Sequence, residues 1–337
     1  MFQNNIKLLI ATHKPCGIPK GDVFVPIHVG REIATEISKD GKINKTELNW
    51  LLNNTIGDDS GENISCKNRY YSELSAIYWA WKNYDKLGNP DYIGLMHYRR
   101  HFIFNNKYYL NKMKFESDYA KGLVYINEEY INENYLSKIA LDDNTIQLVV
   151  AQSDIIVSYL ADLELAYGRK ESIKSDYVNN IPGMKVEDFD LMMEVLYRRY
   201  PQYKDLFRDY INGKNKNLFQ MFIMKKDLFF EYCEFLFGVL FEIEQSRNYE
   251  EGYTINGKRT LGYLGEIMLT MFLYMKKNEN IRISHFGIAH INYPVTKESY
   301  RKILIKNFIK NIFSITNDNN HKIIRLLGLK IKIKRKK

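Results

Sequence analysis

Apolar residues recur along this chain with two periods. Leu74, Ile77, Tyr78, Trp81 and Tyr84 fall at i, i+3, i+4, i+7 and i+10, and that spacing predicts a helix over about 69–87. Asn89, Pro90 and Asp91 end it. The short apolar run Tyr92-Ile93-Gly94-Leu95-Met96 then predicts a strand buried on both faces. Residues 7–12 predict a buried first strand, and 23–29 a second extended run that Pro26 limits to an edge or an irregular form. Residues 147–158 are a further strand-like run around Asp154. Phe189, Met192, Met193, Leu196 and Tyr197 mark a core-facing stripe in a helical stretch over 185–213, within which Pro201 opens a second helix. Residues 217–226 read as a strand, 227–245 as an apolar helix, and 267–277 as a helix opened by Gly262 to Glu266.

Two stretches lack a period. Residues 30–54 are polar and mixed in charge and carry no functional reading. Residues 105–143, rich in Asn, Lys and Tyr, suit a surface insertion or an acceptor-side loop. The whole is an α/β chain with a helical C-terminal part.

Composition narrows the class. With 337 residues, 45% hydrophobic, one large domain or two modest ones can form a sizeable core, and seven prolines do not suggest disorder. Cys16, Cys66 and Cys233 lie far apart and suggest neither a disulfide framework nor a zinc site, which fits a reducing cytoplasm. The N-terminal apolar segment is too short for a secretory signal, and no uncharged run approaches the roughly 18 residues of a membrane span. The net charge of +9 is uneven: residues 301–337 hold twelve Lys or Arg against one acid, Asp318. The body is therefore nearly neutral. The tail reads as one or two basic amphipathic helices suited to an anionic membrane surface. Nucleic acid is the rival partner for such a tail, but the body carries no nucleic-acid motif.

The chemistry concentrates at the end of the predicted strand 92–96, where His97, Tyr98, Arg99 and Arg100 follow one another. In open α/β sheets ligands bind at the carboxyl ends of strands, so adjacent arginines there read as an anion site, most naturally for a diphosphate gripped bidentately. The alternative is structural ion pairing with Asp58, Asp59 or Glu73. Asp58 and Asp59 beside Gly57 also invite Mg²⁺ or Mn²⁺, although Asp-Asp next to glycine is common in plain turns. Asn63, Ser65, Lys67 and Asn68 precede the helix and can line an anion- or sugar-binding edge, or cap the helix. His285 and His290, in the glycine-containing stretch 283–292, have no metal-ligand partners at recognisable spacing.

Taken together, these segments resemble a bacterial family of capsular-polysaccharide-synthesis glycosyltransferases, long catalogued as a domain of unknown function in exopolysaccharide and O-antigen gene clusters. The matching residues are Thr12-His13-Lys14-Pro15, the GDDSGENISCKN run from Gly57 to Asn68, the helix motif from Glu73 to Asn83, YIGLMHYRRHF from Tyr92 to Phe102, Met221 to Lys226, and Glu266. They span nearly the whole chain up to the tail. So long a composite motif is far more specific than any short pattern.

The resemblance implies a GT-A-like fold, a mixed sheet flanked by helices over 1–300, with donor binding in about 1–158 and a helical acceptor part in about 159–300, followed by the tail at 301–337. It implies a UDP-sugar donor contacted by Thr12, His13 and Lys14 at the first strand's end and by Asp58, Asp59, Asn63, Ser65, Lys67, Asn68, His97, Tyr98, Arg99 and Arg100. It places Asn217 and Gln220 near the acceptor. An inverting transferase needs one carboxylate to take the acceptor's proton, and Glu266 is the first candidate, with Asp154 the second. Arg99 and Arg100 would neutralise the leaving diphosphate where other transferases use a metal. The implied reaction is hexosyl transfer, galactofuranosyl or galactosyl, to a lipid-linked oligosaccharide at the inner face of the cytoplasmic membrane. A nucleotide-sugar or phosphosugar hydrolase and a non-catalytic glycan- or membrane-binding subunit are the alternatives.

Overall fold

The computed structural model describes residues 4–38, 41–296, 305, 313–317, 321–326 and 329–334. Its centre is a nine-stranded mixed sheet. β1 (Ile6–Thr12) lies parallel between β2 (Phe24–His28) and β4 (Tyr92–His97), and β2 carries the two-residue β3 (Ile56–Gly57). β5 (Arg100–Ile103) turns back sharply from β4, β6 (Tyr125–Ile131) follows an excursion, and β7 (Ile155–Ser158) returns to the parallel direction. β8 (Ala161–Asp162) and β9 (Asn215–Lys216) form a separate two-stranded ribbon. β10 (Phe222–Lys225) inserts antiparallel between β4 and β7, and β11 (Ile283–Thr296) pairs in turn with β7, β5 and β6.

Side chains alternate between two cores, as the two-residue period of a strand requires. Leu9, Ala11, Ile93, Leu95, Phe222 and Met224 pack into one. Leu8, Ile10, Tyr92, Met96 and Ile223 pack into the other. Helices Leu74–Lys82, Val186–Arg199, Lys204–Asn212, Lys226–Gln245 and Thr260–Met275 supply the first core, including Phe189, Met192, Met193 and Leu196 of the predicted stripe. The first core draws on residues from Leu9 to Leu273, so both halves of the chain share it. β4 is buried along its whole length, as its apolar run predicts. Gly94 makes this tight: a Cβ there would stand 2.6 Å from the Phe222 carbonyl oxygen.

Several elements differ from expectation, each for a local reason. The helix predicted over 69–87 is three pieces, because Ser72 takes φ 52° and ends Asn68–Tyr71 before Leu74 restarts the helix. Residues 147–150 of the expected strand instead end a helix, Asp143–Val150, whose first turn is capped by Asp142 through the Thr145 N–H at 3.0 Å. Pro26 sits inside β2, but β3 opposes only Ile27 and His28, so among the described residues no strand pairs with Pro26 on that side. In the tail, β12 (Phe313–Asn317), β13 (His321–Leu326) and β14 (Leu329–Lys334) form an antiparallel three-stranded sheet where amphipathic helices were expected. Residues 301–304, 306–312, 318–320, 327–328 and 335–337 of that expectation lie outside the described residues.

Candidate functional site

The carboxyl ends of β1, β2 and β4 form one row, with Thr12 opposite His28 and Ala11 opposite His97. Thr12 fixes the turn after β1: its Oγ1 donates to the Lys14 carbonyl at 2.6 Å and accepts from the Lys14 N–H at 3.2 Å. Tyr98 binds the same turn, donating its N–H to the Ala11 carbonyl at 3.1 Å and meeting the His13 ring edge-on at 5.3 Å. The first strand's end and the His-Tyr-Arg-Arg turn are therefore one surface.

Arg100 opens β5 opposite His290 of β11. Its guanidinium lies 4.0 Å from the centroid of the Phe219 ring, and its buried Nε has no hydrogen-bond partner. Among the described residues neither Arg99 nor Arg100 makes an ion pair, which disposes of structural pairing with Asp58, Asp59 or Glu73. Burial and then the neighbouring Arg99 charge pull the Arg100 pKa down, while Glu73 and Glu266 act from a distance in the other direction. A half-buried guanidinium with no ion-pair partner among the described residues is placed to receive an anion.

Phe219 ties the arginine to the carboxylate. Its ring lies against Arg100, its carbonyl is hydrogen-bonded by His97 Nε2, and its N–H donates to Glu266 Oε2 at 2.8 Å. Phe219 and Gln220 have φ of 67° and 54°, a left-handed pair without glycine, costing about 1–3 kcal/mol each. Such strain clusters at ligand clamps. Because the Phe219 carbonyl can only accept, His97 carries its proton on Nε2, and burial lowers its pKa to about 4.

Glu266 sits in the second turn of helix Thr260–Met275, not at its start, so the helix dipole does not account for it. Burial raises its pKa and the Lys216 ammonium, 3.6 Å away, opposes that rise. Lys216 is itself buried and also pairs with Asp176 at 2.8 Å. A carboxylate whose pKa is raised in this way holds a proton more readily than an exposed one, as a general base must once it has taken the proton.

Other expected site residues are engaged elsewhere. Asp58 is fully buried and its oxygens accept from the N–H groups of Gly30 (2.8 Å) and Arg31 (3.1 Å) and the hydroxyls of Ser65 (2.5 Å) and Ser75 (2.6 Å). Asn68 Nδ2 donates to the Ser72 carbonyl and Ser75, Asn63 Oδ1 accepts the Ser65 N–H, and Lys67 pairs with Glu244 at 2.9 Å. Asp59 is exposed. The Gly57–Asn68 run is thus mainly a clasp holding the segment after β2 to helix Leu74–Lys82. Asp58→Ala leaves four donors unmet and should lower stability by about 3 kcal/mol in a urea titration, with the unfolding slope unchanged.

Asn217 and Gln220 are buried and also structural. The Asn217 N–H donates to Thr270 Oγ1 at 2.8 Å and its Nδ2 to the Ser158 carbonyl at 2.6 Å, while Gln220 Nε2 bonds the Tyr232 hydroxyl. They hold the Phe219 corner in place. Asp154 lies at the amino end of β7, the opposite edge of the sheet, gripped by Arg282 at 3.0 Å and by Lys225 at 2.5 Å. The hydrogen bond from Arg282 pulls its pKa well below the carboxylate range, so it holds strands together and is no proton acceptor.

The site edge does not fit Mg²⁺ or Mn²⁺. Asp58 is already saturated with donors, cationic Arg99 and Arg100 occupy the end of β4, and among the described residues no three His, Cys, Asp or Glu are grouped to hold a metal. His290, named in the sequence without a role, lies at the site: it faces Arg100, its Nδ1 is buried without a partner, and burial with the charges of Arg100 and Arg99 lowers its pKa to about 4. Lys216 and Phe219 were unmarked in sequence. His285 bonds the Ser158 carbonyl instead, at 3.0 Å.

Comparison with known proteins places this geometry. No curated protein matches the sequence. Among solved structures, the apo WbbM bifunctional glycosyltransferase superposes with a TM-score of 0.71 at 26% identity, covering 87% of this chain. The chain spans 46% of that structure's length. Among the described residues no helix is long and apolar enough to cross a membrane. The family model described as "Domain of unknown function (DUF4422)" matches residues 7–279, which include the ends of β1, β2 and β4, Phe219 and Glu266 but neither β11 nor the tail, and the chain belongs to that family.

Proposed function

We propose that the chain is a GT-A-like glycosyltransferase that moves a hexosyl group from a UDP-sugar to a lipid-linked oligosaccharide. The observation that carries this reading is the adjacent pair Arg99 and Arg100, without ion-pair partners among the described residues, the second of them tied through Phe219 to the half-buried carboxylate of Glu266, whose pKa is raised. The likeness to a bifunctional glycosyltransferase supports it. In the proposed step the acceptor hydroxyl oxygen attacks the anomeric carbon, its proton passes to Glu266, and the bond from that carbon to the diphosphate oxygen breaks with inversion. The departing UDP takes the bonding pair, and Arg99 and Arg100 stabilise its charge. Thr12, His13, Lys14 and Tyr98, at the joined ends of β1 and β4, border the donor. Galactofuranosyl or galactosyl transfer in capsule, exopolysaccharide or O-antigen assembly is the proposed setting, with the basic tail at an anionic membrane.

The test is thermal stabilisation by a panel of nucleotides and nucleotide sugars, each with Mn²⁺ and with EDTA, on wild type and Arg99→Ala. Ligand at a hundred times its Kd adds about 2.7 kcal/mol. One UDP-sugar stabilising the wild type alone, equally with EDTA, supports the reading. No shift from any nucleotide removes the donor and favours a glycan- or membrane-binding subunit. Release of free sugar without an acceptor favours the hydrolase.

A further inference from the structure

The tail is not the sole surface suited to a membrane. Between β5 and β6 the chain leaves the sheet as helix Asn106–Met113, a short link and helix Asp118–Gly122. The base is firmly seated: Tyr109 is buried, its hydroxyl donates to the Val124 carbonyl at 3.2 Å, and its ring lies so close over Gly287 of β11 that a Cβ there would stand 2.2 Å from it. The top is the reverse. Phe115 is 89% exposed, Leu110 52% and Tyr119 46%. Asn106, Leu110 and Met113 line an open groove of about 720 Å³ together with Lys107, Lys114 and Lys121.

Charge gives the groove its partner. Both oxygens of Glu116 are engaged, accepting from the N–H and Nδ2 of Asn127 at 2.9 and 3.0 Å. Lys112 faces Glu128 and Lys121 faces Asp118. Lys107 and Lys114 are exposed and make no ion pair among the described residues. An exposed aromatic flanked by free lysines matches an acyl boundary beneath anionic headgroups.

Position gives it a purpose. β11 runs past the end of β7, and there Gly287 to His290 pair with Ile103 back to Arg100, so β5 stands beyond the carboxyl edge of the parallel strands. Tyr159, one residue past β7, hydrogen-bonds Asn106 Oδ1 at 3.2 Å and stacks on Tyr109 at 5.6 Å. The excursion thus rises on the same side of the sheet as Arg99 and Arg100.

We infer that residues 106–122 dock on an anionic lipid surface, with Phe115 and Leu110 entering the interface and Lys107 and Lys114 meeting headgroup phosphates, so that the arginine edge faces the bilayer. This does not depend on the donor or on any transfer reaction.

The test is co-sedimentation of the full chain, tail included, with phosphatidylcholine vesicles with and without phosphatidylglycerol. Phe115→Ser should weaken partition about tenfold on both, by loss of one buried aromatic. Lys107→Glu with Lys114→Glu should remove at least about fivefold per charge, on the anionic vesicles only. Ile255→Ser, another exposed apolar site, should change nothing, and all variants should keep the wild-type melting temperature. Unchanged partition of Phe115→Ser overturns the inference and leaves any binding to the tail. A concentration-dependent dimer abolished by Phe115→Ser, with vesicle binding intact, also overturns it and assigns the surface to a second copy.

Discussion

Arg100→Lys is expected to lower kcat/KM for glycosyl transfer about 100-fold or more while leaving the fold intact. The loss follows from geometry. Lysine keeps the charge but not the planar fork, so it can neither lie flat on the Phe219 ring nor present two parallel N–H groups to a diphosphate. The buried Nε of Arg100, unpartnered in the free protein, is the donor that the ligand would satisfy. Arg99→Lys should cost less, since the Arg99 guanidinium lies 5.8 Å from the centroid of the Tyr98 ring, without the close ring contact that Arg100 makes. Both variants are to be compared by initial rates and by UDP binding in calorimetry. Equal UDP affinity in wild type and Arg100→Lys would place the diphosphate elsewhere.

Glu266→Gln is expected to cut kcat by about 10²–10⁴-fold with little change in donor affinity. Glutamine can still accept the Phe219 N–H, so the corner that Glu266 supports survives. The sign of the pH effect is fixed by the direction of the shift. A base must be ionised, and burial raises the Glu266 pKa, so kcat/KM should fall as pH drops through a value above the ordinary carboxylate range. The same shift means the ionised form opposes folding, a cost absent below the unfolded pKa and present above the folded one. The glutamine variant should therefore melt no lower than wild type at neutral pH. Lys216→Met removes the cation that restrains the rise and should move the acid limb of the profile to higher pH. A profile that ignores both substitutions would take the base role from Glu266.

How much of this was legible depended on how local the signal was. His97-Tyr98-Arg99-Arg100 are contiguous and follow an unmistakable buried strand, so position and chemistry could be read together. The Phe219 corner could not, because left-handed backbone in Phe and Gln leaves no mark of the kind glycine or asparagine leaves. Asp58 was legible as a residue and misread in role, since an acid beside glycines looks the same whether it faces a ligand or four internal donors. The tail carried its own correction: in residues 329–334 Lys and Ile or Leu alternate strictly, a two-residue period that belongs to strands. Asp142 before Asp143 was likewise a helix-start signal ahead of a run rich in β-branched residues.

The antiparallel β10 has a consequence for how the molecule comes into being. It is laced between β4 and β7, both of which precede it by more than sixty residues in the chain. Until Lys225 has left the ribosome, each of those strands presents an open, apolar edge, so a nascent chain ending at residue 158 has nothing with which to close its sheet. The first half of the chain is thus a partner of the later half rather than a module that could be expressed, evolved or transplanted alone, and chaperones would meet it in the interval.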